Sequence, residues 1–232
     1  MFDSGIALRP YFSIQHIISA SLFCRKSYQI EKDYDGIFNE NVIFEHNAYV
    51  INSIISSVSF LEATINELFC DSVDSTNNIS ALGNVKIKLL ADNWKSGVPR
   101  TSSYSVTDKY QRTLEIFDMQ LFDKGKSPYQ EVIILTKLRN ALIHYEPEWY
   151  SCQINQCSIN EELNKLARQL LGKFDVSEIY KNTGNSFFPD KCLGHGCAEW
   201  AINSSIKFAD EFFGKIGMKP TFDHIRPLLN TK

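Results

Sequence analysis

The chain has 232 residues and a formal net charge of −3, the size of one domain, or of one domain with a large insertion. Hydrophobic residues at 44% and charged residues at 22% exclude a disordered chain, and 16 Phe, 10 Tyr and 3 Trp supply a sizeable core. The slightly acidic balance excludes a strongly basic nucleic-acid coat protein but leaves room for one local basic pocket.

The N-terminal stretch carries Asp3, has no basic start, and its apolar run is broken by Gln15 and His16. A secretory signal is not expected, and the cytoplasm is the expected compartment. No unbroken run of 18 apolar residues occurs, so no membrane span is expected.

Helical periodicity dominates in chain order. Residues 12–31 read as a first helix, ending near Lys32-Asp33-Tyr34-Asp35-Gly36. Residues 40–70 read as a long second helix. There Val50, Ile51, Ile54, Ile55, Val58, Leu61, Ile65 and Leu68 recur at three- and four-residue steps and form one wide buried stripe. The polar stretch 71–80 stops it. Residues 73–103 are irregular, with a short helix at 82–91 and a loop at Gly97-Val98-Pro99.

Residues 105–121 read as the next helix, followed by a turn at 122–126. Ser127 as N-cap and Pro128 at the first position then open a helix that reaches Tyr145 and stops at Pro147. Residues 158–172 form another, with Ser158 and Glu161 spaced as a capping box. A loop-rich stretch, 173–194, precedes a last amphipathic helix over 196–216. Strand alternation is absent. The expected fold is therefore all-α, a helical bundle whose core spans 1–146, with 147–232 a helical C-terminal extension packed on the same domain.

Six cysteines are too few for a small disulfide scaffold. Cys152/Cys157 and Cys192/Cys197 share a spacing, and the second pair encloses His195. Together they could supply a tetrahedral zinc site, but free buried thiols are the plainer reading, and neither a metal nor a cofactor is expected. The run Asp190–Cys197 places glycines where backbone amides could approach an anion, with a helix N-terminus near Gly196; a tight loop feeding the last helix is the plainer account. Trp149, Tyr150, Phe187, Phe188 and Trp200 read as core and loop anchors. His16, His46 and His224 receive no role.

The informative string is Leu138-Arg139-Asn140-Ala141-Leu142-Ile143-His144-Tyr145-Glu146-Pro147. Val132, Leu135, Leu138 and Leu142 make its apolar stripe. Asn140 and His144, one turn apart, point away from that stripe, and Arg139 sits at its edge. Thr136, Asn140 and His144, with Ile133 beside them, form a face too apolar for free solvent and too polar for a core. It suits packing against a second copy. An imidazole can move the proton of a 2′-hydroxyl, a guanidinium can grip a phosphate, and a carboxamide can orient either. Tyr145 could stack on a base. On the long second helix Glu62 and Asn66 share a face, where Glu62 could pair with Arg139 across the bundle.

Arg139-Asn140, three residues, then His144, late on a bundle helix, resembles the motif of the HEPN superfamily of all-α proteins. Phe60–Phe69 on the long helix looks like the partner helix of such proteins. The resemblance implies a metal-independent endoribonuclease of a defence or toxin–antitoxin system, in which two copies pair their motifs in one cleft. Arg139 and His144 would be catalytic, and Asn140 supporting. It also implies an RNA substrate and an antitoxin or nucleotidyltransferase as partner; the apolar pattern, separately, gives no expectation of a membrane partner. Other members of the superfamily are non-catalytic binding or assembly modules. Members with a tyrosine-bearing motif carry Tyr two residues after His, where this chain has Glu146.

Overall fold

A computed structural model gives the fold. It describes residues 9–74, 77–97, 104–146, 152–153, 156–157 and 161–232, with the backbone alone at 77–78, 152–153, 156–157 and 161–164. The helices are α1 (Phe12–Lys32), α2 (Glu40–Asp74), α3 (Asn84–Lys95), α4 (Val106–Ile116), α5 (Tyr129–Ile143), α6 (Glu161–Leu170) and α7 (His195–Ile216). The chain is all-α. Besides the helices, Cys152–Gln153 and Gln156–Cys157 pair as a two-residue antiparallel ladder.

α1 and α2 form an antiparallel hairpin. Glu31 bonds His46, Ser53 bonds the Ala20 carbonyl, and Ser13 bonds Glu67, so contacts run up one helix as they run down the other. Glu67 accepts both the backbone N–H and the hydroxyl of Ser13, supplying α1 with the N-terminal cap that its own sequence lacks.

α2 is the axis of the molecule. Although it has no unbroken apolar run, it is long and apolar enough by length and composition alone to cross a membrane, a property that the core helix of a bundle shares. Its serines interrupt that run without adding charge. Ser53, Ser57 and Thr64 turn their hydroxyls onto helix carbonyls and are buried with the apolar residues. Here the stripe Val50, Ile54, Val58, Leu61, Ile65 and Leu68 lies in the protein core.

α7 packs on both α1 and α2, so the C-terminal stretch completes the core. Phe208, Phe212 and Phe213 are buried there. Tyr110 of α4 meets Phe208 and Phe212 edge-on at centroid distances of 4.9 and 4.7 Å. α7 stops at Gly217, whose φ of 72° is left-handed, and the Met218 N–H returns to the Phe213 carbonyl.

Four expectations need correction. The irregular stretch 73–103 is largely helical where it is described, with a 3₁₀ turn at Asn77–Leu82 and then α3, whose Trp94 stacks on Phe69 at 5.2 Å. α4 ends at Ile116 rather than at 121. Asp118 takes a left-handed φ of 52°, and the Met119 N–H turns back to the Leu114 carbonyl. α5 begins at Tyr129 with Pro128 in the N-cap position, and the Ser127 hydroxyl bonds Glu131 instead of capping the helix. It ends at Ile143 with His144 as C-cap. The proposed Ser158 cap and the Pro147 stop lie outside the described residues.

Candidate functional site

α5 is held by its apolar stripe. Val132, Leu135 and Leu138 are fully buried, Ile134 nearly so, and Ile133, Ala141 and Leu142 pack against the core edge. This fixes the roll of the helix and therefore where the polar string goes. Thr136 is half-buried and returns its hydroxyl to the Val132 carbonyl. Asn140, Ile143 and His144 are exposed, and the Ile143 side chain is 47% open. Arg139 is half-buried. Its Nε is covered by protein without a hydrogen-bond partner, and among the described residues its guanidinium makes no ion pair.

The backbone N–H of His144 bonds the Asn140 carbonyl at 2.9 Å and closes the last turn. Asn140 and His144 therefore stand one above the other, with a rise of about 6 Å between them. The imidazole has no hydrogen-bond partner among the described residues. Tyr145 and Glu146 follow it, both exposed. A helix C-terminus carries partial negative charge, which suits Arg139 and a protonated His144 and disfavours a bare phosphate. Anion binding at this end therefore depends on the Arg139 guanidinium.

Glu62 and Asn66 do share a face of α2, but they do not reach Arg139. Both hold Lys109 of α4: its Nζ lies 3.2 Å from the Glu62 carboxylate and 3.0 Å from the Asn66 carbonyl oxygen. The lysine side chain is only 6% exposed. A buried ammonium needs such acceptors, and Lys109 sits closer to them than Arg139 does. Nothing in the periodicity of 105–121 singled out Lys109, because charged residues at that spacing usually face solvent.

The loop before α7 does seat an anion at a helix N-terminus, but the anion is the protein's own. The Glu31 carboxylate accepts the backbone N–H of His195 at 2.8 Å and the His46 Nε2–H at 2.8 Å. Gly194 and Gly196 are required by space. A Cβ on Gly194 would lie 2.6 Å from the Ser177 Cα, and one on Gly196 would lie 2.5 Å from the Asp175 carbonyl oxygen. His46, which sequence reading left without a role, is completely buried in this node.

Cys192 and Cys197 are buried free thiols, and burial pushes both up from their ordinary value. Cys192 donates to the Pro189 carbonyl. The side chains of Cys152 and Cys157 lie outside the described residues, and among those described no cluster of three His, Cys, Asp or Glu side chains is arranged for a metal. Of the aromatic anchors, Phe188 is fully buried and Trp200 packs on Phe174 at 5.5 Å; Trp149 and Tyr150 lie outside the described residues. No family model, curated protein or solved structure matches the chain.

Proposed function

We propose that the chain is a HEPN-type, metal-independent endoribonuclease that works as a homodimer, with Arg139, Asn140 and His144 of each copy facing a common cleft. The observation that carries this reading is the guanidinium of Arg139, without an ion pair among the described residues, beside an exposed imidazole and carboxamide at the end of α5. A guanidinium nitrogen covered by protein ordinarily has a hydrogen-bond partner, and the Nε of Arg139 has none among the described residues. Glu62, the carboxylate expected to pair with Arg139, is engaged by Lys109 instead.

In this reaction the His144 imidazole takes the proton of a 2′-hydroxyl. The oxygen attacks the adjacent phosphorus, and the 5′-oxygen leaves with a proton from the second copy's imidazole or from water. The RNA is left with a 2′,3′-cyclic phosphate and a 5′-hydroxyl. Arg139 holds the non-bridging oxygens as charge builds on them. Asn140 orients phosphate or imidazole, and Tyr145 offers a ring to a base. Controlling partners, an antitoxin or a nucleotidyltransferase, belong to the same proposal.

The test is incubation of the purified chain with a mixed single-stranded RNA pool in EDTA. Cleavage with cyclic-phosphate ends is expected. His144→Ala should slow it by about 100-fold or more, and Arg139→Ala by about 100- to 1,000-fold. His144 is exposed, so the melting temperature of His144→Ala should hold. RNA left intact by the wild type, or cut equally well by His144→Ala, defeats the reading. Retention of RNA without cleavage would instead identify a non-catalytic binding module.

A further inference from the structure

A second group of reactive side chains lies where α1, α7 and residues 228–232 meet, and it is independent of the α5 site. Cys24 of α1 is wholly buried, and its Sγ lies 3.4 Å from Nδ1 of His195. The same nitrogen is 3.4 Å from the Cys24 carbonyl oxygen, and the ring packs on Tyr28 at 4.9 Å. Nε2 of His195 is buried with no hydrogen-bond partner among the described residues. Glu199, one turn further along α7, stops 4.0 Å short of it.

That carboxylate is occupied elsewhere. The Thr231 hydroxyl donates to its Oε1 at 2.6 Å, and Lys232 Nζ stands 3.7 Å from its Oε2. The same segment is tied to α1 by Arg25, whose Nη1 donates to the Asn230 carbonyl (2.7 Å), the Asn230 side chain (3.1 Å) and the Leu228 carbonyl (3.3 Å).

The consequence is a choice of tautomer. With no acceptor in reach of Nε2, a neutral ring keeps its proton on Nδ1, where the Cys24 carbonyl accepts it. Nδ1 then cannot take the proton of the thiol. Burial pushes that thiol up to about 12, and a thiol so placed is inert. Lifting residues 228–232 frees Glu199. A shift of about 1 Å brings its oxygen within hydrogen-bond distance of Nε2. An acceptor there fixes the other tautomer and leaves the Nδ1 lone pair facing the sulfur.

We infer that Cys24 is a modification site for low-mass disulfides, held dormant by residues 228–232 and activated through His195 once Glu199 is released. His195 is a positioning residue until the segment lifts. The thiol proton then passes to Nδ1, and the Cys24 sulfur attacks one sulfur of the small disulfide. That S–S bond breaks, a mixed disulfide forms, and the other half leaves as a thiolate. The small disulfide is the oxidant.

The test uses the full chain and an aryl disulfide, dithio-bis-nitrobenzoate. Release of the coloured thiolate is followed over time, and adducts are located by peptide mapping. Cys197 is as deeply buried as Cys24 and serves as the internal reference. Arg25→Gln unties the segment but keeps Glu199, and should label Cys24 about 10-fold faster than wild type with Cys197 unchanged. The double variant Arg25→Gln with Glu199→Ala unties the segment in the same way but removes the acceptor, so its Cys24 should react about 10-fold more slowly than that of Arg25→Gln alone. The inference is overturned if Cys24 and Cys197 accelerate together, which is general loosening. It is equally overturned if Arg25→Gln leaves Cys24 unreactive, or if the double variant matches Arg25→Gln, which is access without activation.

Discussion

Glu31 shows how one side chain ties four segments together. It belongs to α1, takes a proton donor from α2 through His46, caps α7 through the His195 N–H, and accepts the backbone N–H of Glu178. Burial alone would raise its carboxyl, but the His46 and backbone hydrogen bonds outweigh burial and hold it below the ordinary 4.5. Its folded value is thus below its unfolded value. The stability it contributes is complete above about 4.5 and is lost as pH falls through the folded value. Glu67 acts oppositely, since burial raises its carboxyl above the unfolded value. Its contribution is full at low pH and lost as pH rises through the folded value. Glu31→Gln should therefore cost about 3 kcal/mol at neutral pH and flatten the acid side of the stability curve. Urea melts between pH 3 and 7 measure both; an unchanged acid slope would refute the assignment. None of this was legible in sequence. Glu31 and His46 are each ordinary helical residues, and their pairing depends on how two helices cross.

At the scale of elements, the helices themselves were legible because their apolar stripes are long and regular. α1, α2 and α7 lie within a few residues of the periodic segments. The ends were harder to read, because tertiary partners make them. Glu67 caps α1 from the distance of another helix, and Asp118 ends α4 where no glycine signalled a stop. After Asp118 the chain doubles back, and Gln111 clasps it. The Gln111 amide donates to the Phe122 carbonyl and accepts the Phe122 N–H, both at 3.0 Å, in a buried site. This clasp sets the path into α5, and so bears on where Arg139 and His144 end up. Gln111→Ala would leave both Phe122 groups buried and unpaired, a loss of about 2 kcal/mol. Thermal unfolding should show it as a lower midpoint. A midpoint equal to wild type would mean that solvent replaces the clasp.

At the scale of the whole molecule, the polar string of α5 sits on the outside of a bundle whose core closes without it. Sequence periodicity was enough to place Asn140 and His144 outward, because the buried stripe of the same helix fixes their direction. It missed Lys109, because a lysine that must be neutralised inside a bundle has no signature of its own. Asn140 and His144, with Ile143 between them in sequence, are exposed beside the half-buried Thr136 and have no covering element among the described residues, whereas Ile133, expected on this face, packs against the core. On the proposed reading a second copy covers them, and each cleft holds two motifs. That arrangement has a consequence that a monomeric enzyme lacks. On that reading Arg139→Ala and His144→Ala chains are each slowed by about 100-fold or more alone, but a mixed dimer keeps one intact guanidinium and one intact imidazole in the shared cleft. Co-refolding the two variants should return RNA cleavage well above either alone, and the recovered activity should fall on dilution as dimers separate. Activity that stays at the level of the separate variants would mean that each copy works by itself, and would remove the shared cleft from the mechanism while leaving the chemistry of Arg139 and His144 to be judged on the single-variant rates.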